Sequence, residues 1–349
     1  MDSATQQHVS RGELVRRLRE HLGVTLVRLG GAFFVQQVGV PQGSVLSTLL
    51  CSALYADMET SKKLGESPDS AAGGATESLL LRWVDDFLFM TTSAEAATRF
   101  VDTLSSGFPE YGAAVSVSKT CLNFDAWGPD GRRLPRNEHA TPDGRRHVRW
   151  CGLLVDSGTL EVQADNSRLM GIPIGDVVHT PGRDGPSPGS ILATRLRAYL
   201  RPKAAALLFD AQLNGPTTAA VNVLQCFLVA ALKLHAYVAD ALHRPQQDAL
   251  LAAAITDALR YGARLVASRL QLAPGAAKLH PALRGCAIKY LGMMAFHRVL
   301  ARKHSRYAPL LAWLQRELGT HVMREVDRRP AIAAAMEPAR AEALMRAKF

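Results

Sequence analysis

The stretch that most constrains the fold is residues 79–90, Leu-Leu-Leu-Arg-Trp-Val-Asp-Asp-Phe-Leu-Phe-Met, in which two adjacent acids separate two apolar runs. Apolar runs of this length, rich in Leu, Phe, Trp and Val, predict the two strands of a β-hairpin. Because consecutive side chains of a straight strand point to opposite faces, Asp85 and Asp86 can reach one site only if they lie at the turn. The sequence therefore predicts an antiparallel hairpin with an acidic turn.

Asp85 and Asp86 predict a bound cation. Two carboxylates beside a hydrophobic core repel each other, and desolvation raises their pKa values, so such a pair usually needs a positive charge. Oxygen ligands with no His or Cys beside them favour Mg²⁺ or Mn²⁺, and Mg²⁺ is usually held by one or two carboxylates together with substrate phosphates. This is chemistry of the polymerase type. A solvated acidic turn is the alternative.

The length and charge of the chain limit its class. A chain of 349 residues suits about two domains, and the net charge of +10 favours a polyanionic partner such as nucleic acid. No apolar run reaches the ~18 residues of a membrane span, and the polar residues 1–7 do not resemble a signal peptide. We expect a soluble, intracellular chain. The five cysteines lack zinc spacing and predict buried, reduced thiols: Cys51, Cys121, Cys151, Cys226 and Cys286.

Residues 1–165 show the periodicities of both helices and strands. The predicted helices cover residues 13–28, a buried helix at 45–58 capped by Ser44, and residues 93–105. The predicted strands cover residues 32–38, after a Gly30-Gly31 turn, and the two strands of the hairpin within residues 79–90. Further strands are predicted at 113–118, 148–156 and 159–163. Residues 65–74 predict a loop, and residues 125–149 a polar insertion. After residue 191 the pattern is helical throughout. The sequence therefore predicts an α+β fold with a domain boundary near residue 165.

Four short segments carry a family resemblance. In chain order they are Gly-Val-Pro-Gln-Gly-Ser at 39–44, Val-Asp-Asp-Phe at 84–87, Lys119, and Trp-Cys-Gly-Leu-Leu at 150–154. This order resembles the palm motifs B, C, D and E of reverse transcriptases. The match is closer to the telomerase reverse transcriptase family, of animal type, over residues 40–52, 80–88, 109–112, 118–124 and 150–156. Residues 207–214 and 234–237 resemble the C-terminal thumb extension of that family.

The resemblance implies a fold and a set of catalytic residues. Residues 1–165 would form the C-terminal part of a reverse-transcriptase palm, with antiparallel hairpins plus helices, and residues 166–349 an all-α thumb. Asp85 and Asp86 would bind two Mg²⁺ ions, with Mn²⁺ as a substitute, for nucleotidyl transfer. Lys119 resembles the lysine proposed to protonate the pyrophosphate leaving group, although an ammonium at a triphosphate can also act electrostatically. A solvated lysine at a strand end is the alternative.

Two further segments would contact nucleic acid or nucleotide. The glycines of residues 39–44 let a backbone approach a nucleotide or template in front of a helix N-terminus. The residues assigned to this contact are Gly39, Pro41, Gln42, Gly43 and Ser44. The primer grip would comprise Trp150, Cys151, Gly152 and Leu153, where a glycine permits close approach to the primer end. A plain strand-to-helix turn and a core Trp beside a buried Cys are the respective alternatives.

Arginine-rich segments could contact phosphates. One group lies in the polar insertion and could equally belong to a solvated loop: Arg132, Arg133, Arg136, Arg145, Arg146 and Arg149. A second group lies on the first thumb helix and suits a duplex backbone better: Arg195, Arg197, Arg201 and Lys203.

The resemblance also implies partners and a location. The expected partners are a telomerase RNA template, a telomeric single-stranded DNA primer, the RNA–DNA hybrid, dNTPs, and upstream telomerase domains or accessory subunits. The expected location is the nucleus, at chromosome telomeres. Motif A, which carries another metal-binding aspartate, is not found in residues 1–12, so we expect a C-terminal piece of a longer enzyme. The alternatives are a catalytically incomplete nucleic-acid-binding fragment and a reverse transcriptase of a telomerase-related retroelement.

Overall fold

The computed structural model describes residues 9–65, 77–128, 130–141, 144–180, 187, 189–242, 247–273, 275 and 277–348. The chain forms two compact units. Unit one comprises Met1–Val117 and Ala126–Arg133, and unit two comprises Ser118–Asp125 and Leu134–Phe349. Helices and antiparallel strands both contribute, which confirms the predicted α+β class. The loop predicted at residues 65–74 lies, apart from Gly65, outside the described residues. The boundary predicted near residue 165 stays a prediction.

Unit one is built from two hairpins and three helices. In chain order these are α1 (Arg11–Gly23), β1 (Leu26–Leu29), β2 (Ala32–Val35), α2 (Ser47–Ser61), β3 (Ser78–Trp83), β4 (Asp86–Thr91) and α3 (Ala94–Ser105). Helix α3 begins where the sequence predicts, because the Ser93 hydroxyl caps it by accepting a hydrogen bond from the Ala96 N–H at 3.2 Å. The ring of Phe100 on α3 stacks on Phe89 of β4 at 4.6 Å between centroids, which holds the helix against the second hairpin.

The helix predicted over residues 13–28 is too long. Helix α1 ends at Gly23, and Leu26–Leu29 forms a strand that pairs with β2. The turn between these strands uses Gly30 and Gly31 at φ of 56° and 94°, a backbone region that glycine adopts without strain. Strand pairing across this turn therefore overrides the helical spacing of the last leucines.

Helix α2 is less buried than its apolar sequence predicts. Of its residues only Met58 is buried, while Leu49 is 68% and Leu54 45% exposed. Composition predicts that a side chain should be covered, but burial also requires an element to cover it. The predicted cap is wrong too, because the N-cap residue is Leu46; Ser44 instead accepts a hydrogen bond from the Leu46 N–H at 3.2 Å.

The strand predicted over residues 113–118 does not form. Ala113 makes an isolated bridge with Phe108, and the following residues run into a turn before Thr120. Alternating valines and serines satisfy the strand pattern, but a strand also needs a partner edge for its backbone groups.

Unit two begins with a four-stranded antiparallel sheet in the order β5-β6-β7-β8. Its strands are β5 (His139–Ala140), β6 (Arg146–Trp150), β7 (Leu153–Asp156) and β8 (Val162–Ala164). The single strand predicted over residues 148–156 is therefore wrong, because a two-residue turn at Cys151 and Gly152 divides it into β6 and β7. Both turn residues have positive φ, 49° and 78°, as the tight hairpin turn of type I′ requires.

The rest of unit two is helical, as the sequence predicts. Its helices are α4 (Leu192–Leu200), α5 (Pro216–Ala241), α6 (Asp248–Leu272), α7 (Ala287–Ala301), α8 (His304–Leu318), α9 (His321–Asp327), α10 (Pro330–Ala335) and α11 (Pro338–Met345). Helix α5 is the centre of the core and is buried on all faces, which explains why it is apolar all round. Gly292 of α7 lets that helix lie close to α6 and α5, since a Cβ there would clash with Leu259 and approach the Phe227 ring to 3.2 Å.

Two sequence expectations are refined by these helices. By length and composition α5 could cross a membrane, but 83% of its most apolar window is buried inside the fold, as in a core helix. The five cysteines are free thiols, but the prediction that they are buried holds only for Cys226. Cys51, Cys121 and Cys286 are half-buried, and Cys151 is exposed because it occupies the β6–β7 turn. Cys226 is buried, and this burial raises its thiol pKa to about 12.

Candidate functional site

The acidic turn, residues 84–86, lies at the tip of the β3–β4 hairpin. Trp83 pairs with Asp86, so the two-residue turn consists of Val84 and Asp85. The prediction that both acids lie at the turn holds for Asp85 only, because Asp86 is the first residue of β4. Asp85 and Asp86 are both exposed. Val84 has φ of 59°, a strained left-handed conformation for a β-branched residue. The turn therefore presents two adjacent carboxylates on a constrained backbone.

Helix α2 holds the acidic turn through Arg82. The Arg82 guanidinium donates a hydrogen bond to the Val84 carbonyl at 2.9 Å and forms an ion pair with Glu59. Its Nη2 atom lies 3.4 Å from the Ser52 carbonyl. Tyr55 of α2 packs edge-on against Phe87, with ring centroids 6.1 Å apart. These contacts fix the tip of the hairpin to the helix.

Electrostatics link Asp85 to the same helix. Burial raises the pKa of the Tyr55 hydroxyl, and the negative charge of Asp85 raises it further, while Arg82 acts in the opposite direction. The phenol therefore stays protonated beside the acidic turn at neutral pH.

Helix α2 also braces the short turn at Pro109–Tyr111. The Tyr111 hydroxyl donates to the Asp57 carboxylate at 2.8 Å, and Lys62 pairs with Glu110. Both the acidic turn and this turn are thus anchored on one helix.

The loop at residues 39–44 leads into α2. Gly39 and Gly43 have φ of 85° and 84°, so both need the conformational freedom of glycine. Pro41 accepts a hydrogen bond from the Ser44 N–H at 3.1 Å, and Ser44 Oγ lies 2.7 Å from Nε2 of His21 on α1. Gln42 is exposed at the tip of this loop. The predicted nucleotide or template loop therefore has a defined backbone with an outward-facing amide.

Lys119 lies in unit two, whereas the acidic turn lies in unit one. It occupies an exposed turn rather than the end of a strand. Asn137 fixes this turn, because its side-chain amide donates to the Thr120 carbonyl at 2.7 Å. The role predicted for Lys119 stays a prediction.

The predicted primer grip forms the β6–β7 turn of unit two. Trp150 pairs with Leu153 across the turn, and Cys151 and Gly152 occupy its two central positions. The Gly152 carbonyl accepts a hydrogen bond from the Asp165 N–H at 2.8 Å. A Cβ placed on Gly152 would meet nothing within 4 Å, so the face of this turn is open.

The sheet that carries this turn is clamped to α5 by two asparagines. Asn222 is 2% exposed; it donates to the Val162 carbonyl at 2.8 Å and accepts from the Ala164 N–H at 3.3 Å. Asn214, just before α5, accepts from the Val162 N–H at 2.7 Å. Strand β8 thus bonds its outer edge to side chains of the helical core.

Glu161 completes the clamp at the start of α5. Its carboxylate accepts hydrogen bonds from the Gly215 N–H at 2.6 Å, the Thr218 hydroxyl at 2.6 Å and Arg145 at 2.9 Å. Burial acts to raise the pKa of Glu161, but these hydrogen bonds outweigh it and lower the pKa below its usual value. Gly215 leaves room for this carboxylate, because a Cβ would lie 2.5 Å from its oxygen and the Glu161 side chain would have to shift.

The arginines of the polar insertion are mostly engaged in ion pairs. Arg145 pairs with Glu161, Arg136 with Asp125, and Arg149 with Asp165 at 3.8 Å. Of the thumb cations, Arg197 forms a two-point pair with Asp257, and Lys203 is half-buried against Asn166. Intramolecular carboxylates therefore neutralise much of the charge that the sequence offers to phosphates.

The residues fit a hard divalent cation only in part. The acidic turn supplies carboxylate oxygens, the donors that Mg²⁺ and Mn²⁺ prefer. Within the described part of the chain, however, no three His, Cys, Asp or Glu side chains come together as a metal site. The turn therefore offers two ligands of a larger set.

Comparisons with known proteins agree with the motif order. A family model described as the C-terminal extension of telomerase reverse transcriptase matches residues 191–315, within the helical part. The telomerase reverse transcriptase of rice is 33% identical over 338 residues, which cover 94% of this chain and 26% of that protein. The dog protein of the same name is 36% identical over 329 residues, 90% of this chain and 27% of its own length. The chain belongs to the telomerase reverse transcriptase family.

The chain corresponds to the C-terminal region of telomerase reverse transcriptases and spans about a quarter of the length of these relatives. Plant and mammalian members match it at similar identity, so the likeness is not confined to the animal type. Among solved structures, a chain in the telomerase of Candida albicans, determined with a fragment of telomeric RNA, has a TM-score of 0.54 at 15% identity. The match covers 90% of this chain and 43% of that chain, and it shows a shared fold.

The sequence alone does not point to several residues that hold these two turns. Arg82 and Glu59 hold the acidic turn, and Asn222 and Glu161 hold the sheet that carries the β6–β7 turn. Arg82 gives a usable signal, because it is a charge inside an apolar strand. Glu161 and Asn222 give none, since the bonds by which they join the sheet to α5 and its N-terminus span 54 to 60 residues.

Proposed function

We propose that this region is part of an RNA-directed DNA polymerase that adds telomeric repeats to chromosome 3′ ends. The observation that carries the proposal is that the acidic turn is fixed to α2, the helix that follows the loop at residues 39–44. The chain that contains it belongs to the telomerase reverse transcriptase family. Two divalent cations would activate the primer 3′-hydroxyl and stabilise the triphosphate and its leaving group. Asp85 and Asp86 would bind them, and another segment of the longer polymerase would supply the remaining carboxylate.

The other predicted residues would position substrates around this turn. The backbone of Gly39, Pro41, Gly43 and Ser44, with the Gln42 amide, would contact the nucleotide or template. Lys119 would place a positive charge at the pyrophosphate leaving group. The open β6–β7 turn would hold the primer end against the backbone of Gly152.

The proposed partners are the telomerase RNA, the telomeric DNA primer, their hybrid and dNTPs, with the nucleus and telomeres as the location. Upstream telomerase domains or accessory subunits would cover the apolar surface of the first hairpin. That surface is large, because Leu26, Leu29 and Phe33 are 64%, 64% and 69% exposed. No membrane partner is proposed.

Primer extension tests this function. A full-length telomerase that carries these 349 residues as its C-terminal region should extend a telomeric primer with Mg²⁺ and dNTPs, in the order set by its RNA template. The 349-residue chain alone should give no extension, because its described residues bring no third ligand to Asp85 and Asp86. A full-length enzyme that ignores its template would refute the proposal, and extension by the chain alone would refute the missing-ligand argument.

Among the described residues no further metal ligand joins Asp85 and Asp86, and the net charge is +10. Both favour a second function, that of a nucleic-acid-binding fragment. We expect the 349-residue chain to bind an RNA–DNA hybrid through phosphate contacts, with affinity falling on the order of tenfold or more between 50 and 200 mM salt. Fluorescence anisotropy across a salt series would measure this. Arg195→Ala should reduce the salt slope by about one, while Arg316→Ala, on the exposed face of α8, should leave it unchanged. A salt-independent affinity would contradict phosphate binding.

A further inference from the structure

Arg82 is a charged residue inside an apolar strand. It lies between Leu81 and Trp83 in β3, and its side chain is only 14% exposed. A guanidinium remains charged at any physiological pH and is costly to bury without close partners. Its partners therefore indicate what the residue does.

The partners of Arg82 come from both the acidic turn and α2. On one side it donates to the Val84 carbonyl. On the other it pairs with Glu59 and lies 5.5 Å from the centre of the Tyr55 ring. A guanidinium can make these contacts together because its donors form a planar fork and its face stacks on aromatic rings; a lysine ammonium cannot reproduce the set.

Val84 is the residue that most needs this support. Its positive φ is unfavourable for a β-branched side chain, and such a conformation persists only when the surroundings hold it. The carbonyl that Arg82 holds belongs to the peptide bond between Val84 and Asp85. Fixing that peptide sets the direction from which the Asp85 side chain leaves the backbone.

We propose that Arg82 is a positioning residue that locks the acidic turn to α2 and so pre-orients Asp85 and Asp86 for a divalent cation. The orientation of the two acids for a cation rests on the proposed polymerase function. The attachment of the acidic turn to α2 does not depend on that function. The lock also couples the turn to the loop at residues 39–44, since that loop leads into the same helix. A conformational change of the loop that moved α2 would therefore also move the carboxylates of Asp85 and Asp86.

Hydrogen exchange on the 349-residue chain tests the lock without any catalysis. In Arg82→Lys we expect the amides of the acidic turn to exchange about tenfold faster than in the wild type, with α3 unchanged. Glu59→Gln removes the ion pair while keeping the side-chain size, and it should loosen the same amides if Arg82→Lys does not fold. Arg99→Lys, at an exposed position of α3, is the matched control. Unchanged exchange at the turn in the folded variant would overturn the proposal.

The Mg²⁺ dependence of the full-length enzyme tests whether Arg82 orients Asp85 and Asp86 for a divalent cation. Arg82→Lys should raise the Mg²⁺ concentration for half-maximal primer extension about ten- to a hundredfold, and added Mg²⁺ should restore much of the rate. Loss of folded enzyme alone would lower the rate without moving that concentration, and this result would overturn the positioning role. If the wild-type enzyme does not polymerise, the proposed function fails, and hydrogen exchange alone then decides whether Arg82 locks the turn.

Discussion

Asp85→Ala in a full-length telomerase that carries this region should lower telomeric primer extension by about a thousandfold or more. The acidic turn places Asp85 at the tip of its hairpin, and its carboxylate is one of the two that the proposed function assigns to the catalytic cations. Loss of a charged ligand removes stabilisation that is strongest in the transition state, so the rate should fall more than substrate binding does. Single-nucleotide addition with RNA template and Mg²⁺ would measure the effect.

The comparison with neighbouring acids sharpens this prediction. Asp86→Ala should reduce extension less than Asp85→Ala, because Asp86 belongs to strand β4 and pairs with Trp83. Asp102→Ala, at an exposed position of α3, should leave the rate unchanged. Asp85→Ala should also keep the fold, since its side chain is exposed. Retained extension by a folded Asp85→Ala enzyme would remove Asp85 from the metal site.

The acidic hairpin was predictable because its determinants are local. Two apolar runs, with two acids between them, specify the two strands and place the turn to within one residue. The observed turn is Val84 and Asp85, and Asp86 begins β4. The Ser93 cap of α3 is local in the same sense, since its partner is three residues away. Such features depend on chemistry within a few residues, which a sequence displays directly.

The features that were missed depend on distant partners. Arg82 contacts Glu59 and Ser52, which lie 23 and 30 residues away in the sequence. No local pattern in either segment indicates that the two segments are in contact. The split of residues 148–156 into two strands was missed because hydrophobic periodicity does not report the positive φ of Cys151. The apolar composition of α2 predicts a buried helix, but the sequence of a helix does not indicate whether another element packs against it. In this structure only Met58 of α2 is buried.

The asparagine clamp explains how the β6–β7 turn is held by the helical core. Strand β8 pairs with β7 on one edge, and on the other edge its backbone groups bond to Asn214 and Asn222. Asn222 also donates to the Leu208 carbonyl at 2.9 Å, so a single buried amide joins the sheet, α5 and the segment before it. The bond to Leu208 is buried and is therefore costly to leave unmade, while those of strand β8 are part-buried.

Asn222→Ala should therefore destabilise unit two by about 2–4 kcal/mol. The substitution leaves the Val162 and Leu208 carbonyls and the Ala164 N–H without their partner. The buried bond to Leu208 costs on the order of 1–3 kcal/mol to leave unmade, and the two part-buried bonds cost less because water can replace the amide. A unit of this size should lose about 2–4 °C of melting temperature per kcal/mol. Thermal unfolding of the 349-residue chain would measure the loss.

The location of the loss distinguishes the clamp from a general packing defect. Since the chain has two units, hydrogen exchange is the sharper measurement, because it reports each unit separately. In Asn222→Ala the amides of β7 and β8 should exchange faster, while those of the β3–β4 hairpin in unit one should not change. Asn123→Ala removes an exposed asparagine of the same unit and should shift stability by no more than about 0.5 kcal/mol. Equal effects at both asparagines would show that the buried amide contributes nothing particular, and the β6–β7 turn would then need another anchor.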